Sequence, residues 1–276
     1  MTPQPRVLLL VPARTYRAAD FILAAERMHL DLVVASDGAL PLGGRPVIPV
    51  SPADPDASAR RILARAGPAG DLTVTAVFDK PGMPDGPKFE ETLLVSPSRL
   101  AAGTLAAAVR TAADAARSLG LSTGPVHAEL RISYRGPAML ELAPRSIGGL
   151  CSRALSFPGG ASLEEIVLAN ALGRLVPAAT ASTLPLPTPA GPVRPCGVFM
   201  LPVPRPGTLR AVEGRAAALA VPGVTGLTIT IPPGQRVRPL PDGDRYLGFV
   251  FAEADTPADV EHALTAAVAR LRVVIQ

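Results

Sequence analysis

A chain of 276 residues with a hydrophobic fraction of 48% is long and apolar enough to bury a core, as one large domain or two smaller ones, which excludes a disordered protein. Charged residues make up 18%, below the roughly 25% usual in soluble domains, and alanine, glycine and 32 prolines take their place, so many connections should be stiff. The net charge of +4 is spread without any lysine- or arginine-rich run, and no apolar stretch approaches a membrane span, so neither a nucleic-acid partner nor a membrane is indicated.

In chain order, residues 6–13 read as a buried strand, 16–29 as an amphipathic helix with Phe21, Ile22, Ala25 and Met28 at helical spacing, and 30–35 as a second aliphatic strand. This strand-helix-strand unit implies parallel pairing. Residues 47–50 suggest a third strand and 54–66 a second helix with Asp54 as N-cap. The first strand leads into PARTYRAAD, which lacks the glycine fingerprint of a dinucleotide site, so residues 1–66 read as scaffold, with Arg14 and Arg17 as minor ligand candidates.

A breaker, Gly67-Pro68-Ala69-Gly70, precedes an alternating strand at 71–78. The loop 79–91, DKPGMPDGPKFEE, holds Lys80 and Lys88, the two lysines of the chain, and suits either a cleft or a solvated surface. A strand at 92–96 and a long helix at 101–119 follow, the helix apolar at Leu105, Val109, Ala112, Ala116 and Leu119 and stopped by Gly120. Residues 162–172 form another helix with a Ser162/Glu165 capping box, whose charges serve capping alone. Residues 177–195 contain six prolines and almost no charge and read as a semi-rigid linker. Strands at 197–202, 209–212, 226–231 and 245–252 and a helix at 257–270 complete a small mixed α/β unit.

The stretch GPVHAELRISYRGPAMLELAPRSIGGL at 124–150 carries the chemistry. His127, Glu129, Arg131 and Ser133 alternate with apolar residues, as do Met139, Glu141 and Ala143, which predicts two strands joined at Arg135-Gly136-Pro137. A three-residue turn there sets Arg131 opposite Glu141 and Glu129 diagonal to it, about 7–8 Å away on the same face. A slip of one residue would separate the two glutamates. Two glutamates on one face suit magnesium, with waters and nucleotide phosphates completing its octahedron. Arg145 could grip a carboxylate or phosphate with two N–H groups, and the amides of residues 147–149 could cradle an anion. A solvated charged hairpin fits the same alternation. Neither Cys151 nor Cys196 has metal or disulfide-framework spacing, and the opening VLLLVPA is too short for a signal-peptide core, which together point to a reduced cytoplasmic setting. No nucleophilic triad or Walker motif is present.

In order, FDKPGMPDGPKFEETLLVSPS, LGLSTGPVHAELRIS and MLELAPRSIGGLCSRAL resemble the carboxy-terminal half of an ATP-grasp domain of the L-amino-acid ligase and carnosine synthase-like branch. GVFMLPVP and PLPDGDRYLGFVFAEA resemble that branch's carboxy-terminal domain. The resemblance implies a mixed α/β, shortened ATP-grasp-like fold divided as 1–70, a βαβ unit; 71–176, half an ATP-grasp domain; 177–195, a linker; and 196–276, a carboxy-terminal α/β domain. It implies ATP-dependent joining of a carboxylate to an amine, amino acids being the expected substrates, through an acyl-phosphate. Glu129 and Glu141 match the family's magnesium-binding glutamates, with Mg2+ or Mn2+ as the metal, and Arg145 closes its E-x-N-x-R motif, in which Ala143 replaces asparagine. Gly148 and Gly149 match the glycine turn near the acyl-phosphate, while Lys80 and Glu90 match the loop beside the substrate cleft and ATP.

Between Ala66 and Asp71 there is no room for the lysine-bearing subdomain that faces such a site in the family. The expectation is therefore either a ligase, completed by a second copy or another chain where needed, or a non-catalytic ATP-grasp remnant that binds nucleotides or small molecules or serves assembly.

Overall fold

A computed structural model describes residues 6–11, 17–36, 40, 47–49, 74–82, 92–121, 124–172, 194–243 and 245–276. The chain forms two compact units, each interleaved in sequence: 1–73, 102–152 and 160–187 make the first, and 74–101, 153–159 and 188–276 the second. The helix expected at 54–66, most of the PARTYRAAD loop with Arg14, the acidic end of the lysine loop with Lys88 and Glu90, and most of the linker at 177–195 lie outside the described residues.

In the first unit, strands β1 (Arg6–Val11), β2 (Asp31–Ser36) and β3 (Val47–Pro49) form a parallel sheet in the order β1-β2-β3, as the strand-helix-strand pattern requires. Helix α1 (Ala18–Arg27) buries Ala18, Phe21, Ala24 and Ala25. These side chains share a core with Val7, Val11, Leu32, Val34 and, from a distant part of the chain, Leu168. Helix α2 (Ala102–Ser118) packs on the antiparallel hairpin β5 (His127–Ser133) and β6 (Gly136–Ala143). Its buried residues are Ala108, Val109, Ala113 and Ala116, small side chains that allow a close approach, whereas Leu119 is exposed.

Helix α3 (Leu163–Ala171) begins with the expected capping box: Ser162 accepts from the Glu165 amide, and Glu165 accepts from the Ser162 amide. Its acidic residues do more than cap. Glu165 also accepts from Arg27 Nε at 2.9 Å, tying the end of α1 to the start of α3.

The second unit is built on an antiparallel sheet ordered β4-β7-β11-β9, from β4 (Leu93–Ser96), β7 (Cys196–Leu201), β11 (Gly248–Glu253) and β9 (Val224–Ile229). A second sheet, β10-β8-β12, joins β8 (Gly207–Glu213), β10 (Arg236–Val237) and β12 (Arg272–Ile275). Helices α4 (Arg215–Leu219) and α5 (Pro257–Val268) accompany them, and Val260, Ala263, Leu264 and Ala267 of α5 are buried in the core with Leu93, Val250 and Leu209. The strand expected at 71–78 is not formed over the described residues 74–78, where the chain is irregular until Asp79 makes an isolated bridge with Val95. Alternation alone formed no ladder there, and among the described residues pairing with β4 is limited to the Asp79–Val95 bridge.

No described helix is long and apolar enough to cross a membrane. Both cysteines are buried and neither forms a disulfide. Burial pushes the Cys196 thiol up to about 12, which keeps it neutral and unreactive.

Two outcomes test this packing. A Cβ on Gly197 would lie 2.7 Å from the Leu94 carbonyl oxygen and 2.8 Å from Val260, so Gly197→Ala should cost about 1–3 kcal/mol in urea unfolding through overpacking. The Glu165 carboxyl is held below the ordinary glutamate range, chiefly by its Arg27 hydrogen bond. A lowered folded pKa gives stability that is complete above the unfolded value, about 4.3, and lost as pH falls through the folded one. Glu165→Gln preserves the capping box, so it should cost under about 1 kcal/mol at pH 7 because Arg27 is solvent-exposed. That gap should close in parallel denaturant titrations as pH falls from about 4.3 through the lower folded value.

Candidate active site

The hairpin has a tighter turn than the sequence suggested. Tyr134 and Arg135 form the tip, Ser133 pairs with Gly136, and Gly136 takes φ +96°, a conformation that disfavours any side chain. The Ser133 hydroxyl closes the turn, accepting from the Arg135 amide at 3.1 Å and donating to the Gly136 carbonyl. Arg131 consequently faces Ala138, not Glu141.

A register shift between Glu129 and Leu130 then inserts Leu140 as the extra residue on β6 and sets Glu129 directly opposite Glu141. The pair is thus closer than the diagonal placement expected, with Cα atoms at the about 4.5–5.5 Å of directly opposed residues. Bulges re-aim side chains: continued unbulged from the Arg131–Ala138 pair, the ladder would set Glu129 opposite Leu140 and Glu141 opposite Ala128, with the two carboxylates on opposite faces.

Like charges directly opposed on a sheet are destabilising, and each carboxylate has a counter-group. Glu129 Oε1 lies 2.9 Å from His127 Nε2, with both side chains largely buried. Glu141 Oε1 accepts from Arg145 Nη2 at 3.1 Å in a half-exposed pair. Arg145 also donates to the Ser146 carbonyl at 3.3 Å, and a Cβ on Gly148 would lie 3.7 Å from its Nη1, so its guanidinium sits beside Gly148. Gly149 has φ +62°, which turns the chain after Gly148. Glu129, Glu141, Arg145, Gly148 and Gly149 therefore lie along one continuous hairpin-and-loop of the first unit.

Lys80 belongs to the second unit, where it is exposed. Its neighbour Asp79 is anchored there: its Oδ1 accepts from Ser98 Oγ at 2.6 Å and its Oδ2 from the Arg99 amide at 2.8 Å, and Arg99 pairs in turn with Glu261.

The donor set fits a hard divalent cation only in part. Two opposed carboxylates supply the oxygen ligands that magnesium takes from proteins, leaving waters and phosphates to fill the octahedron. Ala143, which pairs with His127 two residues along the ladder, adds no oxygen side chain. Among the described residues, no group of three or more His, Cys, Asp and Glu is placed to hold a metal by itself.

The sequence placed Arg17 in a scaffold segment as a minor ligand candidate, and the structure gives it an anchoring part within the chain. It is 8% exposed and donates to Ser146 Oγ at 2.9 Å, to the Ile147 carbonyl, to Ser152 Oγ at 3.0 Å and to Glu164 Oε1, with its guanidinium 5.6 Å from the Phe21 ring centre. Glu164 is 4% exposed in the first turn of α3. Arg17 thus spans from the start of α1 to the loop that carries Gly148 and Gly149. The partners lie 129 to 147 residues away, so no local pattern could have announced them.

Residues 67–154 match the family model described as ATP-grasp domain, and residues 199–276 match that of L-amino acid ligase C-terminal domain 2. The chain is similar to ATP-grasp ligases. Among solved structures, the L-amino acid ligase from Bacillus licheniformis is similar at 25% identity with a TM-score of 0.59, over 74% of this chain and 50% of that one. The chain therefore spans half the length of that relative. Glycinamide-RNase-transformylase T from Mycobacterium tuberculosis is similar at 15% identity with a TM-score of 0.56, over 97% of this chain and 100% of that one. Phosphoribosylglycinamide synthetase from Anaerococcus prevotii is similar at 11% identity with a TM-score of 0.51, over 67% of this chain and 46% of that one. The last two likenesses concern the fold alone. No curated protein matches the chain. ATP-grasp ligases use ATP and a divalent metal, generally magnesium.

Arg17→Met leaves Glu164 buried without its cation, and losing one partner of such a pair costs about 3–5 kcal/mol. Chemical denaturation followed by circular dichroism should show a loss of that size, against under about 1 kcal/mol for Arg27→Met on the exposed pair between the same helices.

Proposed function

We propose that the chain is an ATP- and magnesium-dependent carboxylate–amine ligase acting on amino acids or peptides through an acyl-phosphate. The carrying observation is the direct opposition of Glu129 and Glu141 across the β5–β6 bulge, inside the segment similar to ATP-grasp domains. In this reading the segments 1–70, 71–176, 177–195 and 196–276 are its successive modules, and the setting is cytoplasmic. The partners are a carboxylate and an amine substrate, with a second copy or another chain supplying the phosphate contacts that the lysine-bearing subdomain supplies in the family.

Glu129 and Glu141 would hold the metal, which neutralises phosphate charge when bound. Cation binding would replace the roles of His127 and Arg145 as counter-groups and relieve the opposed carboxylates. Arg145, released from Glu141, would turn its two N–H groups to the acyl-phosphate, while the amides at Gly148 and Gly149 donate to its oxygens. The substrate carboxylate oxygen bonds to the γ-phosphorus as the bond to ADP breaks. The amine nitrogen then bonds to the acyl carbon, phosphate leaves, and the nitrogen gives up a proton. Lys80 would meet phosphate or substrate charge, as the family resemblance implies.

A second reading, a non-catalytic remnant that binds nucleotides or small molecules, is favoured by one feature: both carboxylates already have counter-groups within the chain.

Titration calorimetry should show heat from millimolar ATP with magnesium and none with Glu141→Gln; an absence of heat for the unaltered chain would sink the ligase reading. Phosphate release that depends on added amino acids and is lost in Glu129→Gln would rule out the remnant. In an active preparation, Arg145→Ala should lower kcat by about 100-fold or more with little change in KM for ATP.

A further inference from the structure

We propose that Arg17 is a positioning residue: by holding the Ile147 carbonyl it sets the direction of the Gly148 amide, the donor assigned above to the acyl-phosphate. This rests on the ligase reading for its chemistry but not for its geometry.

The peptide between Ile147 and Gly148 is planar and trans, so its C=O and N–H point to opposite sides. A guanidinium fixed on the carbonyl therefore directs the N–H away from itself. Arg17 is suited to this because both of its Nη atoms are held: Glu164 balances its charge, Ser146 and Ser152 take further N–H groups from either end of the loop, and Phe21 lies against its face. A buried guanidinium distributes rigid, diverging donors, which a lysine ammonium cannot do. Gly148 itself is exposed, and Gly149 turns the chain immediately after it. The loop thus has one anchored peptide face and one presented to an incoming anion. An amide aimed in advance costs no reorganisation when charge develops, which is how preorganised donors favour a transition state over a ground state.

Arg17→Lys keeps a cation against Glu164 while removing the fork that reaches Ile147, and Arg27→Gln serves as a control that alters the neighbouring exposed pair only. With both variants shown to be folded by thermal melting, the first measurement is the amide NMR signals of Gly148 and Gly149. They should shift and exchange faster with solvent in Arg17→Lys and stay in place in Arg27→Gln. The second is binding of magnesium ADP, alone and with aluminium fluoride as a stand-in for the transferring phosphoryl group. Arg17→Lys should leave ADP within about twofold and weaken the aluminium fluoride complex at least about tenfold, a split that general loss of structure would not produce. Unmoved glycine amides, or equal weakening of both complexes, would overturn the proposal. If the unaltered chain binds neither complex, the ligase reading fails, and the amide signals alone decide the role of Arg17.

Discussion

The first unit depends on one buried cation. Taking a guanidinium out of water costs several kcal/mol, recovered only when its donors are met, and Arg17 meets Glu164, two serines and a backbone carbonyl. Those partners come from two stretches of chain far from Arg17 at the start of α1: the loop after β6 and the first turn of α3. The pair therefore does what the small apolar core around Phe21, Val34 and Leu168 does not do by itself, which is to specify how the loop after the hairpin enters the scaffold. Because a lost partner leaves an uncompensated charge, the arrangement is close to all-or-none.

Around that anchor the hairpin is shaped by local chemistry. Gly136 and Ser133 make the tight turn, and the bulge at Leu140 shifts the register so that two carboxylates face each other. Such an opposition is unfavourable in an isolated sheet, and His127 and Arg145 offset it. In the ligase reading proposed above, a divalent cation would take the place of these counter-groups. Arg145, beside Gly148, thus borders the same loop whose Ile147 carbonyl Arg17 holds.

The second unit follows a more conventional logic. Its central strands β7 and β11 are buried almost throughout, and α5 covers them with Val260, Ala263, Leu264 and Ala267. Gly197 lets that helix approach, and Asp79 ties the chain before Lys80 to Ser98 and Arg99.

Much of this was legible in the residues themselves. Period-2 alternation identified β5 and β6, the S-x-x-E pattern identified the start of α3, and aliphatic runs around an amphipathic stretch identified the parallel β1-α1-β2 unit, because each signal is carried by neighbours in sequence. The strands β10 and β12 and the short helix α4 were missed, being two, four and five residues long, and the two strands form through a ladder partner, β8, from elsewhere in the chain. Alternation at 74–78 was misleading, since a segment can share the pattern without finding a ladder partner. The two glutamates could be named from sequence, but their opposition could not: a bulge adds one residue to one strand, and nothing in composition or spacing says where. The role of Arg17 was likewise decided by tertiary structure alone, because a buried charge is stabilised by whichever distant acceptors the fold brings to it.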